Sequence, residues 1–351
     1  MKKILVTGGC GYIGAHTVVD LLENGYDVIS IDDNSRSSNY LLDGIEQITG
    51  KKIKNYKVDL KNFDETLAVF QENEDISGII HFAAYKAVGE SVNEPLSYYE
   101  NNLFSVINIL KCVKEFAIPH FVFSSSCTVY GNPDVIPVTE SSPVKKAESP
   151  YGATKQMGEV IVEDYAKASF CNAILLRYFN PVGAHPTILI GELPLDKPQN
   201  LVPVITQCAI GKISQMTVHG NDYSTRDGSC ICDYIHVCDI AHAHTLALEF
   251  LINRQNKSNC EIFNLGSGNG VTVLEAIKAF EKVSGKTLNY TVGPRRSGDV
   301  VAIYANNDFA KSVLNWEIKY DLDDMMQTAW DWELKIKKEE DLIKAQNHVL
   351  N

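Results

Sequence analysis

Tyr151 and Lys155, in the run Tyr151-Gly152-Ala153-Thr154-Lys155, stand four residues apart and so share one face of any helix that contains them. A phenol ionises near pH 10 and is a poor base at neutrality, but a nearby ammonium and a positive nicotinamide ring both favour the phenolate. A tyrosine tuned in this way can take a proton from a substrate hydroxyl while hydride leaves the same carbon. Ser126, in the cluster Ser124-Ser125-Ser126, is suited to bond the reacting oxygen. Lys155 would act as electrostatic tuner and ribose ligand without transferring a proton itself. A Tyr-x-x-x-Lys pair alone is common and usually no more than an exposed helix pair, so its weight depends on what surrounds it.

A second group of residues supplies that context. Thr7-Gly8-Gly9-Cys10-Gly11-Tyr12-Ile13-Gly14 follows an apolar β-branched run and opens a helical pattern. Gly8, Gly11 and Gly14 permit a tight turn, let a pyrophosphate approach the backbone and bring helix and strand together. Asp32 ends the next strand, where an acid grips the ribose hydroxyls of adenosine. Its carboxylate repels a 2′-phosphate and Asp33-Asn34 bring no arginine, although Arg36 is not far, so NAD is favoured over NADP. Asp59 is suited equally to accept from an adenine amino group and to cap the helix that follows it.

The elements that must position these residues are legible as an alternation. Ile4–Thr7, Asp27–Ile31, Ile53–Val58, Gly78–Phe82 and His120–Ser124 read as strands, and Ile13–Asn24, Asp64–Glu72 and Leu96–Phe116 as helices. A helix over Tyr151–Ser169 and a strand Ala173–Tyr178 continue the series. The alternation predicts an α/β fold, a Rossmann-type doubly wound parallel sheet, with a smaller mixed α/β substrate-binding lobe. Residues 1–180 are assigned to the NAD-binding domain and 181–351 mainly to the lobe, with part of 231–265 returning to the first domain. Glycines and prolines between Gly183 and Pro203 mark a long irregular connection. Helical patterns return at Val204–Ile210, Val237–Leu251 and Thr272–Ser284, and Lys335–Asp341 reads as a solvated helix end.

Composition narrows the class of partner. Over 351 residues, 32 Lys and Arg against 44 Asp and Glu give a net charge of −12, which excludes a general nucleic-acid or anionic-membrane binder. Any anionic ligand must be held by local positive charge or by backbone N–H groups. Nine irregularly spaced cysteines suit reduced thiols in a cytoplasmic protein. The first apolar run stops at Thr7, too short for a signal-peptide core, and no stretch reaches the roughly 18 apolar residues of a membrane span.

Five ordered motifs carry a resemblance. Gly8–Gly14, Ser124-Ser125-Ser126-Cys127-Thr128-Val129-Tyr130-Gly131, Tyr151–Lys155, Arg177-Tyr178-Phe179-Asn180-Pro181-Val182-Gly183-Ala184-His185-Pro186 and Asp233-Tyr234-Ile235-His236-Val237 together resemble the UDP-glucose (UDP-galactose) 4-epimerases. These are extended short-chain dehydrogenase/reductases, and the likeness runs from residue 1 to about 335. It implies a tightly held NAD that takes hydride from C4 of a UDP-hexose, a 4-keto intermediate that turns over, and hydride return to its other face. It also implies a homodimer, for which the helix Leu96–Phe116 is a candidate face, equally legible as internal core.

Carried across, the resemblance makes Tyr151 the base, Ser126 its hydroxyl partner and Lys155 the cofactor-side lysine. Cofactor contacts are expected from Gly8, Gly11, Tyr12, Ile13, Gly14, Asp32, Asn34, Asp59, Phe82, Ala83, Lys86, Asn101, Ser124, Tyr151, Lys155 and Tyr178. Substrate contacts are expected from Lys86, Ser126, Tyr151, Asn180, Asn200, Leu201, Arg296, Asp299 and Ile303, and no metal is expected.

Two positions depart from the family pattern, and two more argue against a rival of the same fold. Many members carry an arginine directly before Asp-Tyr-Ile-His, pairing with the diphosphate, where this chain has Cys232. Losing such a contact costs about 1.5–3 kcal/mol of substrate binding, with Arg226 the candidate to compensate. Ile303 stands where a tyrosine disfavours N-acetylated sugars and a smaller residue admits them, so UDP-GlcNAc and UDP-GalNAc are alternative substrates. Sugar-nucleotide 4,6-dehydratases of the same fold use an acid pair before Val-Tyr-Gly. Cys127 and Thr128 supply no such acids. A non-catalytic NAD-binding module with weakened substrate binding is the rival from another class, and the intact Tyr151–Lys155 pair counts against it. Cys230-x-Cys232 with Cys238 reads as buried thiols rather than a zinc site.

Overall fold

The computed structural model describes residues 1–195, 197–296 and 300–349. Its first half alternates strand and helix. The strands are β1 (Lys3–Thr7), β2 (Asp27–Ile31), β3 (Lys54–Tyr56), β4 (Ile76–His81), β5 (His120–Ser124) and β6 (Asn172–Tyr178). Between them lie α1 (Tyr12–Glu23), α2 (Tyr40–Thr49), α3 (Phe63–Glu72), α4 (Val88–Asn93), α5 (Pro95–Glu115) and α6 (Pro150–Ala168). The second half contributes β7 (Asn180–Val182), α7 (Leu201–Ala209), β8 (Met216–His219), β9 (Ile231–His236), α8 (Val237–Ile252) and β10 (Cys260–Leu265). It ends with β11 (Gly270–Thr272), α9 (Val273–Ser284), β12 (Tyr290–Gly293), α10 (Asp308–Leu314) and α11 (Leu322–Val349).

Seven strands form one parallel sheet in the order β10-β6-β5-β4-β1-β2-β3. Successive side chains on β1 show why it is buried on both faces. Ile4 and Val6 enter a core with Val18 of α1 and Ile240 of α8, whereas Leu5 enters the opposite core with Val106 of α5 and Val162 of α6. Strand order reverses between β1 and β4, and a crevice opens beyond their carboxyl ends, where such sheets bind ligands.

The smaller lobe is built on the mixed sheet β11-β9-β7 and the parallel pair β12-β8. Helices α7, α9 and α11 cover it through a third core that includes Ile205, Phe280 and Trp330. β10 pairs along its whole length with β6, and α8 packs against α1, so the segment after β9 rejoins the large sheet. The sequence patterns did not foresee α2, α4, α10 or the small-lobe strands, and of the long α11 they registered only the charged end.

Candidate functional site

The Gly8–Gly14 turn leads from the end of β1 into α1 at the reversal of strand order. A Cβ on Gly14 would stand 2.1 Å from Gly8 O, so helix and turn approach this closely only with glycine at that position. A Cβ on Gly11 would meet nothing within 4 Å but Gly8 O, at 3.2 Å, and would otherwise stand in the cleft. Gly11 is also the N-cap of α1 and brings no side-chain acceptor to the first helical N–H groups. Those donors remain for an anion, which the helix dipole favours.

From this turn a cleft of about 780 Å³ extends toward the small lobe. Its wall includes Gly8, Gly11, Tyr12, Ile13, Gly14, Asp32, Asp59, Phe82, Ala83, Lys86, Asn101, Tyr151, Lys155, Tyr178 and Asn200. Asp32 accepts from Cys10 N at 3.1 Å, Asn34 N at 3.0 Å and Ser37 Oγ at 2.7 Å. Burial raises its pKa, opposed by these donors. Asp59 faces the cleft, as the adenine reading requires, but it does not cap the following helix: it accepts from Lys61 N at 2.9 Å in the preceding turn, and Asn62 caps α3 by accepting from Glu65 N. The open cradle at Gly11, the uncapped N–H groups and an acid at Asp32 fit a dinucleotide.

The reactive pair arrives on α6. Ser149 caps this helix by accepting from Gly152 N at 3.2 Å, and Pro150 occupies its first turn. Lys155 is 4% exposed and donates to Ser124 O at 2.6 Å, and burial lowers its pKa to about 8. Tyr151 is 7% exposed, and burial raises its pKa far above 10, with the Ser126 hydroxyl pulling in the other direction. Lys155 and a positive nicotinamide ring were both expected to favour the phenolate. In this molecule desolvation governs the phenol, and the ammonium lies 5.9 Å from the ring centre.

Other expected residues stand off the cleft wall. Ser124 shares a 2.5 Å hydrogen bond with Tyr178 OH behind the pair. Asn34 donates to Ser37 Oγ at 3.2 Å. Asn180 donates to Asp233 O at 3.1 Å, and Leu201 packs on the small-lobe core. Ile303 is 4% exposed in an apolar cluster with Val129, Tyr130 and Phe179. Arg296 is exposed and makes a polar contact of its own, while Asp299 lies outside the described residues. Arg226, the candidate to replace a missing arginine, donates to Glu275 Oε1 at 2.6 Å and to Gly270 O at 2.8 Å.

Several supporting residues had no role in the sequence reading. Glu192 Oε1 accepts from Lys86 Nζ and Asn200 Nδ2, each at 3.1 Å, and so ties two candidate ligands together. Glu159 accepts from Ser125 Oγ at 2.5 Å and pairs with buried Arg177 at 2.8 and 2.6 Å, which braces α6 against β5 and β6. Asn102 clamps Tyr85 N and O and donates to Thr154 Oγ1 at 3.0 Å. His81 bonds Thr7 Oγ1 at 2.8 Å beneath the turn. Arg177 opened one of the quoted motifs, but none of the others carried a local signal. Among the described residues no group of three or more His, Cys, Asp or Glu is placed to hold a metal ion, and no helix is long and apolar enough to cross a membrane.

The family description "GDP-mannose 4,6 dehydratase" matches residues 5–329. Full-length relatives are more specific. The UDP-glucose 4-epimerase of Schizosaccharomyces pombe is 48% identical over 337 residues, 95% of this chain and 94% of its own. That of Bacillus subtilis is 47% identical over 331 residues, covering 94% and 96% respectively. The Bifidobacterium longum UDP-glucose 4-epimerase, solved with NAD+ and UDP, superposes with a TM-score of 0.91 at 44% identity over 95% of this chain and 98% of its own. Cys127, one of the two positions at which an acid was sought for dehydration, is a buried thiol whose pKa desolvation raises to about 12. The chain belongs to the UDP-glucose 4-epimerase family, within the broader group that the dehydratase description covers.

Proposed function

We propose that the protein interconverts UDP-galactose and UDP-glucose by epimerisation at C4, using NAD. The observation that carries this reading is the meeting of Tyr151 and Lys155 with the glycine turn and Asp32 in one cleft. NAD, when bound, supplies a reversible hydride acceptor and a positive ring. Gly11 and the first turn of α1 hold its pyrophosphate, Asp32 its adenosine ribose and Lys155 its other ribose. Tyr151 takes the proton of the C4 hydroxyl and returns it, and Ser126 bonds the same oxygen. Burial keeps the phenol protonated without ligands, so its base strength depends on positive charge brought into the cleft.

Asn180, Asn200, Leu201, Arg296 and Asp299 are assigned to the UDP-sugar, and Ile303 to the control of its N-acyl side. Residues 1–180, with the returning segment through β10, serve the cofactor, and the remainder serves the sugar nucleotide. The two helices α5 and α6 pack together yet leave Leu96, Phe104, Met157 and Val160 exposed, which supports a homodimer through this face. Nine free cysteines support a reducing, cytoplasmic setting.

The test is incubation of the purified protein with UDP-galactose and no added NAD, following UDP-glucose. Conversion is expected, and Tyr151→Phe is expected to lower kcat by about 10²–10⁴-fold. Absence of product from protein loaded with NAD would sink the reading and promote a non-catalytic NAD-binding module.

A further inference from the structure

A second acid besides Asp32, Glu90, lines the same cleft. In the run 32–39, Arg36 is the only cation, and its neighbour Ser37 donates to Asp32 Oδ1 at 2.7 Å. A phosphate on the 2′-oxygen of an adenosine ribose held by Asp32 would arrive beside this guanidinium, the planar donor best suited to it. Arg36 is already engaged. Its Nη2 donates to Glu90 Oε1 at 2.6 Å and its Nη1 to Glu90 Oε2 at 3.2 Å, and its guanidinium lies over the Tyr85 ring, 4.7 Å from the centre.

Glu90, on α4, is fixed in turn. Tyr98 OH donates to Glu90 Oε2 at 2.7 Å and accepts from Ala87 N at 3.0 Å. Arg36 and Glu90 both line the cleft. The Arg36 hydrogen bonds also hold the Glu90 carboxyl below its usual pKa range, so the acid is charged at neutrality. The pair is too exposed to contribute much to stability. Its two-point geometry nonetheless fixes where the guanidinium points.

We propose that Glu90 is a specificity-determining residue for the dinucleotide: it holds Arg36 in a two-point ion pair, withholds that cation from a 2′-phosphate, and so favours NAD over NADP together with Asp32. A 2′-phosphate that recruited Arg36 would leave the Glu90 carboxylate without its cation beside a dianion, a repulsive element against the wrong cofactor. The proposal rests on the NAD reading above.

The experiment measures dissociation constants for NAD and NADP by calorimetric titration of the full-length protein stripped of nucleotide. Parent, Glu90→Gln and the double variant Arg36→Ala/Glu90→Gln are compared. Glutamine keeps an acceptor for Tyr98 and removes the charge. The ratio of the NADP to the NAD constant is expected to fall about tenfold in Glu90→Gln and to return to the parent ratio in the double variant. General loosening of the site weakens both nucleotides and leaves the ratio in place. An unchanged ratio in Glu90→Gln, or a fall that persists without Arg36, overturns the proposal while the NAD reading stands. A parent protein that binds neither dinucleotide overturns both.

Discussion

Cys232 is half-buried on β9, packed against the small-lobe core and opposite Val271 of β11. Arg226 is tied to Glu275 and to the backbone of Gly270, so its charge is committed within the lobe. The arginine that the family resemblance leads one to expect at position 232 is therefore not replaced by Arg226. Cys232→Arg is expected to lower KM for UDP-galactose about tenfold with little change in kcat, because the contact acts on bound substrate and transition state alike. Steady-state kinetics on both forms provide the check, and an unchanged KM counts against it. At this scale the sequence was readable wherever chemistry is spaced along a single element. Tyr151 and Lys155 share α6, and Gly8, Gly11 and Gly14 share one turn. Glu192, Glu90 and Glu159 meet partners 106, 54 and 18 residues away, and only the folded chain defines those distances.

Helix α6 shows why some elements were legible. A serine cap, a proline in the first turn and an apolar face mark its start and course. α2 opens at Asn39 with no side-chain capping bond, and α4 is six residues long, so neither announces itself locally. α11 was hidden differently, because its charged end looked like solvent-facing surface while Trp330 and Trp332 anchor its earlier turns in two separate cores. The pair α5 and α6 also carries a consequence for assembly. Leu96 is 80% and Phe104 52% exposed on α5, while Met157 and Val160 are exposed on α6. Large apolar side chains on paired helices suit a self-complementary contact between copies. Replacing both Leu96 and Phe104 by Asp is expected to convert a dimer to a monomer in sedimentation velocity, with the far-ultraviolet helix signal retained. A parent that sediments as a monomer at micromolar concentration excludes the dimer outright.

Across the whole molecule, the parallel sheet followed from alternating patterns, but its strand order and the burial of polar groups around it did not. His16, His81, His236 and His244 are each at most 2% exposed, on α1, β4, β9 and α8. Desolvation lowers the pKa to about 3 for His16, His81 and His236 and to about 4 for His244. Each imidazole stays neutral in the folded chain and takes a proton near pH 6.5 once unfolded. The unfolded state thus binds more protons below that pH, and the folded state loses stability as pH falls from about 6.5 toward the folded values. Each such group contributes up to about 1.4 kcal/mol per pH unit within that window. Five carboxyls work the other way: burial raises the pKa of Asp239 to about 6 and also raises Glu23, Asp32, Glu140 and Asp233, so their strain is relieved on acidification and offsets part of the loss from the four imidazoles. Urea midpoints of the nucleotide-free protein are therefore expected to change little around neutrality and to fall between pH 6.5 and 5. A midpoint that holds or rises over that interval would show that these histidines are not kept neutral by the fold.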